Sequence, residues 1–241
     1  MTKERNKEYK PLSFSTTMRN PARIADFLSC ILPFEGQLLT NDVIYSVATK
    51  LISQKLYKPT FISTDPRLKA IYNSDEDFTA EDAHYIIQNS PQKHKEAGFE
   101  EGWPSRFDTW YKLSMEFGFI YYAMNEPIKI STTGHMLVDA VREVPKNDDK
   151  IQNVFLNSLM KYQTNNPFRK NSNTNAPLPL LLNVIKLLKE DSEEGDSGVF
   201  IRELSMIICW PDNDAVALYK AIKEFRKLHR FTYGDEVMYD R

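Results

Sequence analysis

The side chains best suited to catalysis in this sequence do not stand in the arrangement that their chemistry needs. Asp212, Glu224 and Lys227 lie in the run WPDNDAVALYKAIKEFRK and form an acid, acid and lysine set of the kind that many nucleases use. That chemistry requires carboxylates on adjacent strands around a divalent metal ion. The apolar spacing over 215–228 predicts a helix instead. This set is therefore not interpreted as a catalytic site.

Other catalytic and metal patterns are absent from the sequence as well. The four histidines form no HxxxH, HxH or Cys/His spacing, and there is no Gly-rich phosphate loop or GxSxG motif. The acids Glu193, Glu194 and Asp196 could hold a cation, although such a group is more typical of a solvated loop. Cys30 and Cys209 lie in apolar helical runs, where a small buried hydrophobe is the usual role. The sequence predicts a binding protein with no catalytic centre and no cofactor in this chain.

The composition is that of a folded protein. Of its 241 residues, 41% are hydrophobic and 27% are charged, which is too apolar for a disordered chain. The length suits two compact units. No apolar run approaches the roughly 18 to 20 residues that span a bilayer, and residues 1–10 are polar and basic, unlike a secretory leader. The chain is expected in the reducing cytoplasm, without a membrane partner.

Basic residues are concentrated near the start of the chain, although the formal net charge is only -2. A uniformly basic nucleic-acid binder is therefore excluded, but a local basic face is not. A sequence-specific DNA-binding protein shows such asymmetry, because its phosphate contacts are confined to one face. A flexible basic tail would show it too. The basic residues are Lys3, Arg5, Lys7, Lys10, Arg19 and Arg23, and acids gather in 75–82 and 190–196.

Three signals over 103–137 occur in the order that a winged helix requires. Ser105 is expected to cap a helix that runs to Phe117, with apolar residues at i, i+3, i+4 and i+7 spacing. A strand, a turn and a return strand over 119–130 predict a two-stranded wing. A helix over 134–142 follows a Ser/Thr cap. Helices predicted before this segment cover 21–31, 41–54 and 77–89.

The helix from Ser105 is the candidate for insertion into the major groove of DNA, which is wide enough to admit a helix. Its face opposite the apolar stripe carries Arg106, Thr109, Lys112 and Leu113. An arginine can make a bidentate contact with guanine, and Thr109 or Lys112 can meet a base edge or a phosphate. The solvated side of an ordinary amphipathic helix would carry the same polar residues, so this alternative stays open.

The second half of the sequence repeats this architecture in outline. A helix over 150–162 is followed by a polar segment in which Arg169 and Lys170 could contact the DNA backbone or serve solubility alone. Helices over 178–189, 199–209 and 215–228 predict a second helix-turn-helix unit. The expected fold is mainly α, with tandem winged-helix or helix-turn-helix subdomains and short β-hairpin wings. The expected divisions are an N-terminal subdomain over 1–163, a linker over 164–176 and a second subdomain over 177–241.

Five strings carry a family resemblance: RNPARIADFLSCILPFEGQLLT, GWPSRFDTWYKLSMEFGFIYY, IKISTTGHML, VFLNSLMKYQ and PLPLLLNVIKLL. In this order they resemble the amino-terminal half of the AlwI-like type IIS restriction endonucleases and their nicking relatives. The resemblance covers most of the chain. It implies a region that recognises a short asymmetric site in double-stranded DNA. It also implies a separate carboxy-terminal domain of the PD-(D/E)xK type, which cuts outside that site with Mg²⁺.

The same resemblance implies recognition roles for Arg19, Glu35, Gln37, Arg106 and Lys112. Glu35 and Gln37 are predicted to lie in a turn after Pro33, where their side chains could accept from cytosine or pair with adenine. A plain turn is the competing interpretation of these two residues.

The chain is expected to end before the cleavage domain, so that the parent protein is the enzyme and this chain alone is non-catalytic. Its expected partners are double-stranded DNA and, in addition, its own cleavage domain or a second subunit. Two alternatives stay open. One is a tandem winged-helix transcription regulator, which would more often be a dimer on a palindrome. The other is a protein-interaction scaffold without affinity for duplexes.

Overall fold

The structure is a computed structural model that describes residues 22–96, 98–191 and 198–229. These residues divide into two compact units, each with its own hydrophobic core. We call the part up to Phe155 the N-terminal unit and the part from Leu156 the C-terminal unit. None of the helices in the described ranges has the length and apolarity that a bilayer crossing requires.

Helices make up most of the regular structure, which confirms the expected mainly α class. The predicted helices over 21–31, 41–54 and 77–89 are confirmed to within a few residues. Helix α3 was not predicted, because its apolar residues Leu68, Ile71 and Tyr72 span little more than one turn, which is too short for a periodic pattern. The elements before the division are α1 (Ala22–Ile31), α2 (Asn41–Ser53), α3 (Pro66–Tyr72), α4 (Ala80–Gln88), α5 (Trp103–Glu116), β1 (Ile120–Tyr121), β2 (Lys129–Ile130) and α6 (Thr132–Arg142), with 3-10 turns at Leu32–Phe34 and Thr60–Ser63. The division falls within α7 (Asp148–Lys161).

Helix α5 lies in the middle of the N-terminal unit, and none of its residues is exposed. Helices α1 and α2 and the strand β1 all pack against it. The buried Tyr111 hydroxyl donates a hydrogen bond to the carbonyl oxygen of Phe27 in α1, at 2.8 Å. Leu113, which was predicted on the polar face, is only 5% exposed. That part of the prediction was wrong, because a helix with several packing partners is buried over a wider arc than a one-sided amphipathic helix.

The start of α5 also differs from the prediction. The helix begins at Trp103, after Gly102 with a φ of 106°, and a proline occupies its first turn. Ser105 therefore does not cap the helix. Its buried hydroxyl donates to the carbonyl oxygen of Glu100 at 2.6 Å and accepts from the backbone N–H of Glu96 at 3.0 Å. The serine holds the preceding loop against the helix.

The hairpin predicted after α5 is present. Strands β1 and β2 pair antiparallel, with Ile120 opposite Ile130 and Tyr121 opposite Lys129. Each strand has two residues, fewer than predicted. The segment between α1 and α2 extends the pairing, because the backbone N–H of Gly36 donates to Ile128 O at 2.8 Å and the N–H of Leu39 donates to Glu126 O at 2.9 Å.

Helix α6 begins as predicted. The side chain of Ser131 accepts a hydrogen bond from the backbone N–H of Gly134 at 3.0 Å, which is the expected N-cap. Gly134 is buried against the start of the hairpin, and a Cβ at this position would lie 2.3 Å from Phe119 O. The glycine therefore allows α6 to approach the hairpin closely.

The C-terminal unit contains the three predicted helices. They are α8 (Pro177–Glu190), α9 (Leu204–Cys209), which follows a 3-10 turn at Ile201–Glu203, and α10 (Ala215–His229). Their core consists of Leu180, Val184, Leu188, Ile207, Leu218 and Ile222. Beside it, Arg226 of α10 donates two hydrogen bonds to the Glu203 carboxylate, at 2.8 and 2.9 Å, and both side chains are almost fully buried.

The segment 164–176 lies within the C-terminal unit and is hydrogen-bonded to the end of α9 and the residues just after it. Asn175 Nδ2 donates to Ile207 O at 2.7 Å, and the backbone N–H of Thr174 donates to Pro211 O at 2.9 Å. The division into a subdomain, a linker and a second subdomain stays a prediction.

Candidate nucleic-acid interface

The partly exposed line of α5 carries the three residues predicted to contact DNA. Arg106, Thr109 and Lys112 are half-buried, and they recur at every third position along the helix. Each has a hydrogen-bonding partner inside the N-terminal unit. Residues 92–94 supply the partners of the first two, so this line is ordered and only partly open to solvent.

Arg106 is held by a side-chain amide. Its Nε donates to Gln92 Oε1 at 3.0 Å. The amide is itself fixed, because Gln92 Nε2 donates to Ser90 O at 2.9 Å, and the Tyr57 hydroxyl donates to the same Oε1 at 3.4 Å. Burial raises the pKa of Tyr57, and the positive charge of Arg106 opposes that shift. A contact through Nε leaves the two terminal nitrogens of the guanidinium for a bidentate contact.

Thr109 has a partner of a different kind. Its Oγ1 lies 2.7 Å from His94 Nε2, and that nitrogen also lies 3.1 Å from Glu96 Oε1. The Thr109 hydroxyl donates a hydrogen bond to Ser105 O at 3.2 Å. The hydroxyl is therefore engaged within the unit.

Lys112 neutralises a buried carboxylate. Its Nζ lies 3.3 Å from Asp108 Oδ2, and Asp108 is only 4% exposed. The Tyr122 hydroxyl donates to the other carboxylate oxygen at 3.0 Å. Burial, followed by the charge of Asp108, raises the pKa of Tyr122 well above its ordinary value. Lys112 thus contributes to the fold as well as to the surface charge.

Glu35 and Gln37 lie beside the hairpin, on the segment that pairs with it. Glu35 Oε1 accepts a hydrogen bond from the backbone N–H of Ile130 at 3.1 Å, and its carboxylate lies 3.1 Å from His135 Nε2 of α6. Gln37 is exposed, and its amide donates to Pro33 O at 3.3 Å. Glu35 therefore ties the hairpin to α6.

Arg23 lies in a surface groove of about 500 Å³ whose other lining residues are Lys55, Leu56, Tyr57, Lys58 and Tyr72. Arg23 Nη2 donates to the carbonyl oxygen of Leu56. Tyr57 connects this groove to Arg106 through Gln92. Lys55 and Lys58 were not among the residues predicted from the sequence. The run KLYK places two lysines around a tyrosine just after α2, and this interleaving of basic and aromatic residues was the available signal.

The remaining predicted contacts lie elsewhere. Arg169 and Lys170 are in the C-terminal unit, where Asn166 Oδ1 accepts from the backbone N–H of Arg169 at 2.9 Å and forms a local turn. Lys170 is exposed. Arg19, the basic residues at 3–10 and the acids of the loop 193–196 lie outside the described residues.

The resemblance implies Mg²⁺, which needs a set of oxygen ligands brought close together. Nowhere in the described ranges do three His, Cys, Asp or Glu side chains come together as a metal ion would need.

Comparison with known proteins bears on the sequence resemblance. Residues 115–233 match the sequence model of a family described as AlwI restriction endonuclease. This match begins at the end of α5 and includes the hairpin. Neither the curated proteins nor the solved structures contain a match to the chain. Over the matched stretch, which is just under half of its length, the chain is similar to the AlwI restriction endonuclease family.

Proposed function

We propose that this chain recognises a short asymmetric site in double-stranded DNA, as the recognition part of a type IIS or nicking restriction endonuclease. The family match supports the restriction-enzyme setting. Since the described residues lack a metal cluster, hydrolysis with Mg²⁺ is assigned to a cleavage domain of the whole enzyme.

The N-terminal unit is proposed to bind DNA as a winged helix. The order of α1, the paired segment 36–39, α2, α5 and the hairpin supports this assignment if α3 and α4 are taken as an insertion between the second and third helices of the motif. In a winged helix the third helix contacts the bases and the hairpin lies along the backbone. The second unit, with its three helices, is proposed as a further helix-turn-helix subdomain.

The observation that carries the proposal is the fixed position of Arg106. Gln92 holds its Nε, and no carboxylate among the described residues lies within ion-pair distance of its guanidinium. A guanidinium oriented in this way can present its two terminal nitrogens to the O6 and N7 atoms of guanine. A preorganised side chain loses less conformational entropy on binding than a mobile one.

The other sequence-predicted contacts have supporting roles in this proposal. Thr109 and Lys112 lie next to Arg106 on the same helical line and would contact the neighbouring base edge or phosphate. Arg169 and Lys170 would contact the backbone from the C-terminal unit. The roles of Arg169 and Lys170 are sequence-independent, because a phosphate contact carries no base information.

The test is selection of bound duplexes from a random pool by the wild-type chain, Arg106→Ala and Gln92→Ala. Loss of one bidentate contact costs about 1–3 kcal/mol, or about 5- to 150-fold in discrimination at a single base pair. Arg106→Ala should lose the preference for guanine at that position, and Gln92→Ala should weaken it. The matched control is Arg142→Ala, because Arg142 is an exposed arginine at the end of α6.

Three outcomes would contradict the proposal. An unchanged selected motif in Arg106→Ala would exclude α5 as the helix that contacts bases. A palindromic motif bound by a dimer would favour a transcription regulator instead. Absence of duplex binding by the wild-type chain, even at low salt, would favour a protein-interaction scaffold.

A further inference from the structure

We infer that the groove lined by Arg23, Lys55 and Lys58 binds the phosphodiester backbone of the duplex beside the base pair that Arg106 contacts. This inference rests on the proposed function. It adds a backbone site to the N-terminal unit, with two lysines that neither the sequence pattern nor the family match assigns.

The groove lining is positively charged, and Asp26, which lies outside the lining, interacts electrostatically with Arg23. Its lining contains three cations and no acid. Their partners are neutral: Arg23 donates to a backbone carbonyl, Lys55 Nζ donates to Ser74 O at 2.6 Å, and Lys58 Nζ lies 4.1 Å from the centre of the Tyr72 ring. Within the described part of the chain, none of the three pairs with a carboxylate. Cations gathered in a concave surface raise the local positive potential, which attracts a polyanion.

The backbone at Lys55 is the second observation. Lys55 has a φ of 55°, in the left-handed region that normally favours glycine. Its N–H donates to Ile52 O at 2.9 Å and the N–H of Leu56 donates to Leu51 O at 2.8 Å, which is the Schellman end of α2. Glycine is the usual residue at this position of the motif. A lysine held there in a strained conformation is consistent with a functional role for its ammonium group.

The aromatic residues of the groove indicate a phosphate rather than a base. A base would need an open ring face for stacking. Lys58 lies over the Tyr72 ring, and the Tyr57 ring packs edge-on against Trp103 and Trp110, with centroid distances of 6.1 and 4.9 Å. The groove thus offers cations and hydrogen-bond donors to a ligand rather than stacking surfaces.

The position of the groove relative to Arg106 fits a contact to the same duplex. Tyr57 lines the groove, and its hydroxyl shares the acceptor Gln92 Oε1 with Arg106 Nε. Backbone contacts fix the register of a protein on DNA, and base contacts then supply specificity. The groove is therefore placed to set the register for Arg106.

The experiment measures the affinity of Lys55→Gly and Lys58→Gln for the selected duplex over a range of salt concentrations. Each variant should bind about 5- to 30-fold more weakly near 0.1 M salt. Each should also make the negative slope of log K against log salt shallower by about 0.9, because one phosphate contact is lost. The selected base sequence should not change. Lys189→Gln, which removes an exposed lysine of the C-terminal unit, should leave affinity and slope unaltered.

Two further controls test whether the variants fold and whether the groove binds DNA phosphates or free phosphate ions. Glycine is the preferred residue at the position of Lys55, so Lys55→Gly should unfold at the same temperature as the wild-type chain or higher. Inorganic phosphate at millimolar concentration should not displace the duplex beyond the effect of its ionic strength.

Two variants with unchanged salt slopes, or an altered base preference, would overturn the groove assignment while leaving the proposed function intact. Specific displacement by inorganic phosphate would show a site for free anions and would also overturn it. A wild-type chain that binds no duplex would remove the proposed function itself.

Discussion

Replacement of Gly134 by alanine should reverse the usual effect of that substitution in a helix. In a helix interior, alanine is more favourable than glycine by about 1 kcal/mol. At this position the new Cβ would lie 2.3 Å from the carbonyl oxygen of Phe119 and 2.9 Å from Ile130 Cγ2. The carbonyl is backbone, and it accepts a hydrogen bond from the N–H of Ser131 at 3.0 Å. It therefore cannot move aside without disturbing both the hairpin and the cap of α6.

The expected net effect is a loss of stability. Overpacking costs about 1–3 kcal/mol, and a weakened hydrogen bond adds about 0.5–1.5 kcal/mol. After the gain in helix propensity is subtracted, Gly134→Ala should destabilise the N-terminal unit by about 0.5–3.5 kcal/mol.

Urea unfolding, followed by the fluorescence of Trp103 and Trp110 in a Trp210→Phe background, would report this unit separately from the other. The control is Asp139→Ala at an exposed position of the same helix, which should change the free energy of unfolding by no more than about 0.5 kcal/mol. A stability of Gly134→Ala equal to or above that of the parent would refute the close approach of α6 to the hairpin.

Two further predictions concern titratable groups. Burial, together with the charge of Asp26, raises the pKa of Cys30 to about 12 against the opposing charge of Lys50. In a Cys209→Ser variant, the remaining thiol of Cys30 should therefore resist alkylation at pH 8 when the protein is folded and react when it is unfolded. Rapid alkylation of the folded variant would contradict this prediction. Burial raises the pKa of Asp82, but hydrogen bonds from Arg67 and from Thr79 outweigh it, and the net pKa lies below the ordinary value. The stabilisation from Asp82 is therefore present above pH 3.8 and lost as pH falls through the lower folded-state pKa. Acid titration of the free energy of unfolding should show this loss in the wild-type chain and not in Asp82→Asn.

Local signals in the sequence were sufficient to predict the structure where a residue contacts its near neighbours in the chain. Ser131 caps α6 as predicted, and the capping box of Thr79 and Asp82 starts α4. Both use side chains that reach the backbone three residues ahead, so the distance is fixed by helix geometry. The hairpin after α5 was also predictable, because its aromatic and β-branched residues flank a turn.

Ser105 shows where local signals fail. Its type and position fit an N-cap, but the hydroxyl bonds to the loop at Glu96 and Glu100 inside the protein. The choice between cap and loop contact depends on how the preceding chain returns to the helix, and this is a tertiary property. The prediction that Leu113 lies on the polar face was wrong for a related reason, because its burial depends on how many elements surround α5.

The amino-acid sequence by itself determined the mainly helical class, the approximate helix boundaries and the resemblance to a restriction-endonuclease family, since these follow from periodicity, capping residues and local strings. The tertiary structure decided which polar side chains meet. Arg23 lines one groove with Lys55 and Leu56, although it is 33 residues away from Leu56 in the chain. Gln92 and Arg106 are hydrogen-bonded across a separation of 14 residues. Such contacts arise only after the helices pack, because packing, unlike helix periodicity, brings residues together that are distant in the chain.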